Sequence, residues 1–445
     1  MHHEMRRRAP VIEEGSTTAE VRVALLLAAG RGLRMRSTHP KALRRVGGIS
    51  LLERCTKVLR QAGIERIVVV VGYRSEDIVA AIQARNLPVE VVTNADWQHG
   101  TGSSVLAGLR TVGDERCLVV MGDHVFEADD VRRLVRTTCG NVAAVDRDVD
   151  RQFAGLSGTR PNRVRLRDDG CVASLGPDLD EYDAVDAGLT VVEVSDVLSM
   201  DGRTPKSWLE LRQQLLVHGH PLQSHDVHGL WADVDTPETV RALERFMWRR
   251  YGPKPTDGVI ARIVNRRISG PLTRLLLHTG LTPDAATALA FSVTLLAAGL
   301  VATGNRWLMV AGGIGVVLGS ALDGVDGELA RVSGTASRRG ATLDTLLDRY
   351  ADLAVVLALV LATGATRTAW GWGFAAAVGC LLVSYVHAVG RDTDVRLLFR
   401  REFRLLIFAV SAVIGLPLWG LIAVALAANL DVLRGVVLLL RAMRE

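Results

Sequence analysis

Five cysteines, Cys55, Cys117, Cys139, Cys171 and Cys380, are spread over 445 residues, and no two stand in a CxxC or other paired spacing. That excludes a disulfide-built scaffold and predicts reduced thiols. An apolar N-terminal stretch is also missing. MHHEMRRRAP runs into VIEEGSTTAE, so no signal peptide is expected and residues 1–20 read as a flexible tail. His218, His220, His225 and His228 lie close together without a regular ligand spacing, which reads as a polar surface loop rather than a metal cluster. Disorder and collagen-like sequence are excluded by a hydrophobic fraction of 49%. What remains does not fit one class. Charged residues make up 23%, ordinary for a soluble enzyme, yet the mean hydropathy of +0.22 is high for one. The length suggests two or three domains, and the figures read as two compositions averaged together.

From Val23 to Met247 short apolar runs alternate with amphipathic, charged segments. ALLLAAG (24–30), RIVVVVGY (66–73), CLVVMGD (117–123) and LTVVEV (189–194) read as buried strands, with helical spacing at 51–63 and 75–85. This alternation predicts an α/β, Rossmann-like domain with a parallel sheet and helices on both faces. Its expected bounds are 21–252. Beyond Tyr251 the pattern changes. Arg306 is the only charged residue between Ala285 and Leu322, and Leu405–Leu430 carries none. Six apolar runs, at 284–303, 307–331, 341–364, 370–389, 403–416 and 418–440, predict an all-α, six-helix transmembrane domain over 283–445. Between the domains, 253–282 mixes Ile, Val and Leu with Arg262, Arg266, Arg267 and Arg274. It reads as one or two amphipathic helices on an anionic membrane surface, the alternative being a solvated linker helix.

The loops predict an orientation. Arg338, Arg339, Arg391, Arg396, Arg400, Arg401, Arg404, Arg441 and Arg444 fall on the side of the N-terminal domain, while the opposite turns hold Trp307, Trp370, Trp372 and Trp419. A positive-inside bias with an aromatic belt on the far side predicts a multi-pass cell-membrane protein whose N-terminal domain and C-terminus are cytoplasmic.

The first strand runs into LAAGRGLRM (27–35), followed by Pro40-Lys41. Small residues there let backbone N–H groups approach phosphate oxygens, and Arg34 and Lys41 offer cations. The turn is neither GxGxxG nor GxxxxGK[ST], so the two common nucleotide loops do not account for it. Asp123 ends a buried strand in MGDH, where a carboxylate reaches the crevice beyond the sheet. Asp233 and Asp235 stand two apart in WADVDTPE, before a helix expected at Pro237. Asp123 and Asp235 are the first choices for a Mg²⁺ ligand pair, with Asp233 second. LAAGxGxRM with PK resembles the nucleoside-triphosphate transferase family over roughly 23–247. The resemblance implies that Ala29, Gly30 and Gly32 hold the triphosphate, that Arg34 and Lys41 act on the reacting phosphates, and that Gly102, Ser103 and Ser104 in NADWQHGTGSS lie at the nucleoside pocket. GDH with DVDTPE looks most like the inositol-phosphate cytidylyltransferase branch.

The second half holds Asp323-x-x-Asp326-Gly327-x-x-Ala330-Arg331, then Gly340-x-x-x-Asp344-x-x-x-Asp348. On helices these spacings put Asp323, Asp326 and Ala330 on one face and Asp344 with Asp348 on another. Four carboxylates near lipid repel one another and are costly unless they bind divalent cations. The pattern is that of the CDP-alcohol phosphotransferase family, and the resemblance covers about 258–440. It implies metal-ligand roles for Asp323, Asp326 and Asp344. Asp348 would be the general base and possible metal contact, and Gly327, Ala330 and Arg331 would lie at the bound CDP. Arg391, Arg400 and Arg401 could hold an acceptor phosphate or simply mark the inner face.

Together these resemblances point to bifunctional inositol-phosphate cytidylyltransferase/di-myo-inositol-phosphate-phosphate synthases. They imply CTP and a polyol phosphate such as inositol 1-phosphate as substrates, and a CDP-alcohol passed to the second site. They also imply Mg²⁺ or Mn²⁺ (one ion in the soluble domain, two in the membrane domain), a lipid bilayer, and a homodimer. The same-class alternative is a phospholipid synthase using CDP-diacylglycerol, with the soluble domain serving another pathway. A non-catalytic nucleotide sensor is the different-class alternative, and intact Lys41, Asp123 and membrane aspartates argue against it. The net charge of +5 calls for no nucleic-acid partner.

Overall fold

A computed structural model describes residues 20–32, 35, 39–113, 116–137, 140–148, 161–200, 205–252, 266–277, 279–390, 393, 395 and 397–442. Arg34 and Arg391, both expected at phosphate sites, lie outside the described residues, as do 1–19 and 253–265. Packing divides the chain into two compact units, Met1–Arg44 with Ser50–Leu243, and Arg45–Ile49 with Glu244–Glu445.

In the first unit, β1 (Val23–Leu27), β2 (Arg66–Val71), β3 (Glu90–Thr93) and β4 (Arg116–Met121) lie parallel in the order β3-β2-β1-β4. Strands covered on both faces are apolar at every position rather than at alternate ones, and β1 shows why. Its Ala24 and Leu26 pack with Leu52, Cys55 and Leu59 of helix α1 (Leu51–Gln61). Val23, Leu25 and Leu27 point the other way, to Val105, Leu109 and Val112. Those three belong to α3 (Thr101–Val112), which follows α2 (Ser75–Ala84) in the chain. The α1 start is set by Ser50, whose Oγ accepts from the Glu53 N–H at 3.2 Å.

The sheet is parallel through β1–β4 and departs from the expected pattern beyond β4. After the short strand β5 (His124–Phe126), β6 (Ala184–Glu193) lies antiparallel to β4, with Leu189 opposite Val120. Its LTVVEV run is buried on both faces, and such a run carries no mark of strand direction. Further on, β7 (Trp231–Asp233) pairs antiparallel with β5, bringing Asp233 opposite His124. Helices α4 (Trp208–Val217) and α5 (Pro237–Tyr251) follow, and the division between units falls within α5.

The second unit opens with α6 (Arg266–Leu276). Six helices follow: α7 (Pro283–Ala302), α8 (Arg306–Ser333), α9 (Arg338–Ala362), α10 (Arg367–Val389), α11 (Arg401–Ile414) and α12 (Pro417–Ala442). Four of them, α7, α8, α10 and α12, are long and apolar enough to cross a membrane. The expected six spans come down to four by this measure for two reasons. α9 begins with Arg338, Arg339, Asp344, Asp348, Arg349 and Asp352. α11 rises only about 21 Å, against a hydrocarbon core of about 30 Å.

Helix starts follow local chemistry. Thr282 caps α7 ahead of Pro283, Asn305 Oδ1 accepts from the Trp307 N–H at 3.0 Å, and Ser337 caps α9. Small residues then bring α8 close to its neighbours. A Cβ on Gly312 would lie 2.7 Å from the Ala297 carbonyl oxygen of α7, and one on Gly313 would lie 2.7 Å from that of Ala409 in α11. This wedged helix carries Asp323 and Asp326.

Candidate functional site

In the first unit, β1 ends at a turn tied to its neighbour. Ala28 N donates to Val70 O at 2.8 Å and Tyr73 N to Ala29 O at 3.0 Å. Gly32 sits at φ +64°, where a Cβ would lie 2.7 Å from the Lys41 Cβ, so glycine is required twice over. Gly30 faces open space. At the end of β4, Gly122 N donates to Leu27 O at 3.1 Å, and a Cβ there would sit 2.3 Å from that oxygen. That close approach delivers Asp123 to the carboxyl end of the sheet. Gly30, Gly32, Lys41, Asp123 and Asp235 line one cleft of about 320 Å³.

Lys41 is the hub. Its Nζ lies 2.7 Å from Asp123 Oδ2, bonds Asp235, and stands 3.7 Å from Asp233 Oδ1. Asp123 Oδ1 is 2.8 Å from His124 Nδ1. Burial works against the Lys41 ammonium, but the three carboxylates outweigh it and hold its pKa well above the lysine range. Desolvation opposes the Asp123 carboxylate too, yet Lys41 and His124 keep it ionised far below the usual range. Asp233 moves the other way: burial, with Asp123 and Asp235 nearby, lifts it to about 6. His124 is pushed up to about 9, because Asp233 and Asp123 outweigh the cost of burying the imidazolium.

Asp123, His124 and Asp233 each bring a ligand atom within 4.8 Å of the others, and Asp233 Oδ1 is buried without a hydrogen-bond partner. Within that set the carboxylates of Asp123 and Asp233 are the donors that fit a hard divalent cation. Asp235, with Asp123 the first choice from sequence, bonds Lys41 as Asp123 does. Ser103 and Ser104 both accept from Asn94 Nδ2 at 3.0 Å, and Gly102 packs against Pro205 O. All three are buried at the start of α3, fixing the 94–104 segment rather than lining the cleft.

Beneath His124 lies a pair that no motif announced. Arg212 donates to both oxygens of Asp186, at 3.0 and 2.6 Å, with side chains 3% and 5% exposed. Asp186 Oδ1 also accepts from Gly188 N at 3.1 Å, and Gly188, at φ +80°, abuts the His124 ring.

In the second unit, Asp323, Asp344 and Asp348 each bring an oxygen within 4.8 Å of the others, on the facing helices α8 and α9. Asp326 turns toward α7, accepting from the Thr287 hydroxyl and the Gly327 N–H. Arg401 of α11 enters the cluster, with Nη1 2.9 Å from Asp323 Oδ2 and 2.7 Å from Asp348 Oδ1. Arg400 stands just before it as the N-cap of α11. Arg331 donates from Nε to Tyr251 O at 2.9 Å and from Nη2 to Gly252 O. Ala330 is half-buried on the same helix, and a Cβ on Gly327 would meet Arg331 Nη1 at 3.0 Å. Next to the signature, Glu328 is fully buried and accepts from Ser269 at 2.9 Å and Thr273 at 2.7 Å, both on α6. Three clustered oxygens on rigid helices fit a divalent cation, and an arginine beside them suits phosphate chemistry.

Two family models match the chain: a MobA-like NTP transferase domain over residues 24–222 and a CDP-alcohol phosphatidyltransferase over 281–437. A protein of Rubrobacter xylanophilus named bifunctional IPC transferase and DIPP synthase is 39% identical, covering 96% of this chain and 99% of its own. The chain belongs to that bifunctional family. A protein of the same name from Aquifex aeolicus is 30% identical over 93% of this chain and 97% of its own, and one from Thermococcus kodakarensis is 31% identical over 81% of each. The likeness runs through both halves at once, which does not favour a nucleotidyltransferase serving an unrelated pathway. The chain is a bifunctional transferase with a nucleotidyltransferase domain and a CDP-alcohol phosphotransferase domain.

Proposed function

We propose that the first unit converts CTP and inositol 1-phosphate to CDP-inositol and pyrophosphate, and that the second transfers the phosphoinositol group to a second inositol 1-phosphate, releasing CMP. The observation that carries this is the fusion itself: one chain joins a site that makes nucleotide-linked alcohols to one that consumes CDP-alcohols.

In the first step a phosphate oxygen of the polyol phosphate attacks the α-phosphorus of CTP, and the bond to the β-phosphate oxygen breaks. Backbone N–H groups at Ala29, Gly30 and Gly32 receive the triphosphate, and Lys41 and Arg34 neutralise charge that builds on the reacting phosphates. Asp123, with Asp233 or Asp235, holds one Mg²⁺ or Mn²⁺. Gly102, Ser103 and Ser104 support the nucleoside pocket from behind, through the segment they fix.

In the second step the acceptor hydroxyl oxygen attacks the phosphorus bearing the donor alcohol, the pyrophosphate bond breaks, and CMP leaves. Asp348 takes the hydroxyl proton. Gly327, Ala330 and Arg331 border the CDP, and Arg391, Arg400 and Arg401 receive the acceptor phosphate. Asp323, Asp326, Asp344 and Asp348 would hold two divalent ions, which when bound polarise the phosphoryl oxygens and stabilise the leaving group.

The domains run 21–252 and 283–445, joined by a juxtamembrane segment at 253–282. The second crosses the cell membrane in six helices as a homodimer, with the first domain and the C-terminus cytoplasmic. The test is mass spectrometry after incubating the full chain with CTP, Mg²⁺ and inositol 1-phosphate. CDP-inositol followed by a phosphodiester product is expected, and no CDP-inositol would refute the reading.

A further inference from the structure

The carboxylate cluster of the second unit already contains a cation. Arg401 Nη1 sits between Asp323 and Asp348 at 2.9 and 2.7 Å, while its Nε donates to Asp352 Oδ1 at 3.0 Å. Asp352 belongs to a different environment from the cluster. It is 2% exposed, and its other oxygen accepts from Arg404 Nη2 at 3.1 Å. Arg404, also 2% exposed, is fixed further by the Cys380 carbonyl at 3.3 Å. Arg401 therefore has two seats on one side chain: a buried one at Asp352, and a second on two of the three carboxylates whose oxygens converge within 4.8 Å.

We infer that Arg401 is a placeholder cation that gives up Asp323 and Asp348 when a divalent ion arrives, and stays tethered to the site through Asp352. The physical case is competition for the same lone pairs. A hard divalent ion needs direct oxygen contacts, and an N–H donor on those oxygens excludes it while its positive charge repels it. Without the guanidinium, metal-free carboxylates this close would repel one another. Without the Asp352 seat, a guanidinium displaced from Asp323 and Asp348 would keep no carboxylate partner among the described residues. The tether keeps it in place with Nη groups free for another anion. Under the proposed reading that anion is the acceptor phosphate, so the acceptor subsite is completed only after the metal binds. Asp352 is thus a positioning residue, acting through Arg401.

The test uses Mn²⁺ alone and needs no substrate, so it stands or falls separately from the CDP-inositol assay. Mn²⁺ binding to the full chain in detergent is followed by electron paramagnetic resonance. The sites of the second unit are identified as those lost in Asp344→Asn, and a retained thermal unfolding transition of the second unit in detergent checks its folding. Arg401→Gln removes the competitor and should tighten Mn²⁺ binding at those sites about tenfold, a change of about 1.4 kcal/mol. Asp352→Asn weakens the alternative seat and should loosen binding several-fold, the opposite direction. A merely structural arginine predicts weakened or unchanged binding in Arg401→Gln, and either result with the second unit's unfolding transition retained overturns the inference. If Arg401→Gln does not fold, unchanged or tighter binding in Asp352→Asn overturns it instead.

Discussion

Removing Arg212 tests whether the buried pair under His124 supports the first unit. Arg212→Ala deletes both donors to Asp186, whose side chain is 5% exposed, and leaves a carboxylate in the core with only lesser partners. Breaking a buried ion pair from one side costs about 3–5 kcal/mol. For a unit of this size each kcal/mol lowers Tm by about 2–4 °C, so the expected drop is about 6–20 °C. The assay is scanning calorimetry of the full chain in detergent, following the transition that CTP shifts. Arg212→Ala with Asp186→Ala should recover part of the loss, because no uncompensated charge remains. The pH dependence has a definite sign. Burial raises the Asp186 pKa, but Arg212 and the Gly188 N–H more than reverse this, so it lies below its unfolded value. Its contribution is therefore complete above about pH 4, near the unfolded carboxylate pKa, and is lost as pH falls through the folded one. The stability gap between wild type and Asp186→Asn should narrow on acidification below that point. A single mutant within 1 °C of wild type, or a double mutant showing the full sum of both losses, would refute the reasoning.

Lys41→Met should lower pyrophosphate release by about 10²–10³-fold while leaving CMP release from added CDP-inositol intact, read in parallel assays on one preparation. Gly32→Ala must adopt φ +64° and press on Lys41, so CTP turnover should fall with a raised KM. Asp348→Ala should abolish CMP release yet retain CDP-alcohol binding by equilibrium dialysis, and unchanged turnover would remove it as the base. Thr273→Val removes one donor from buried Glu328 and should cost the second unit about 1.5–3 kcal/mol, measured by thermal unfolding in detergent.

The sequence carried the parts of both sites that are local. Gly32, Lys41 and Asp123 sit in short motifs because a turn, a lysine and a strand end are fixed by neighbours a few residues away. Asp323, Asp344 and Asp348 were legible because helical spacing alone puts such residues on one face. What escaped was decided by pairing across long separations. Arg212 and Asp186 are 26 residues apart, and nothing in either neighbourhood marks them as partners. Asp352 follows Asp348 at the same i, i+4 interval, a readable signal, but its partners Arg401 and Arg404 arrive from another helix. The direction of β6 was hidden because a strand buried on both faces looks the same in either direction. The apolar runs marked all six helices, while length and composition alone support four spans, because α9 spends its first turns on charged groups and α11 is short.

The carbonyls held by Arg331 and the hydroxyls held by Glu328 bear on how the chain can be taken apart. A fragment starting at Pro283 keeps every signature carboxylate but strips Ser269 and Thr273 from Glu328, and the Tyr251 and Gly252 oxygens from Arg331. One starting at residue 253 restores the first pair and not the second. A cut at Glu244, inside α5, keeps both sets of partners but still strips away Arg45–Ile49, which belongs to the second unit and whose Gly47 N donates to Glu244 Oε1 at 3.0 Å, so no single cut within α5 or the linker after it separates the two activities cleanly.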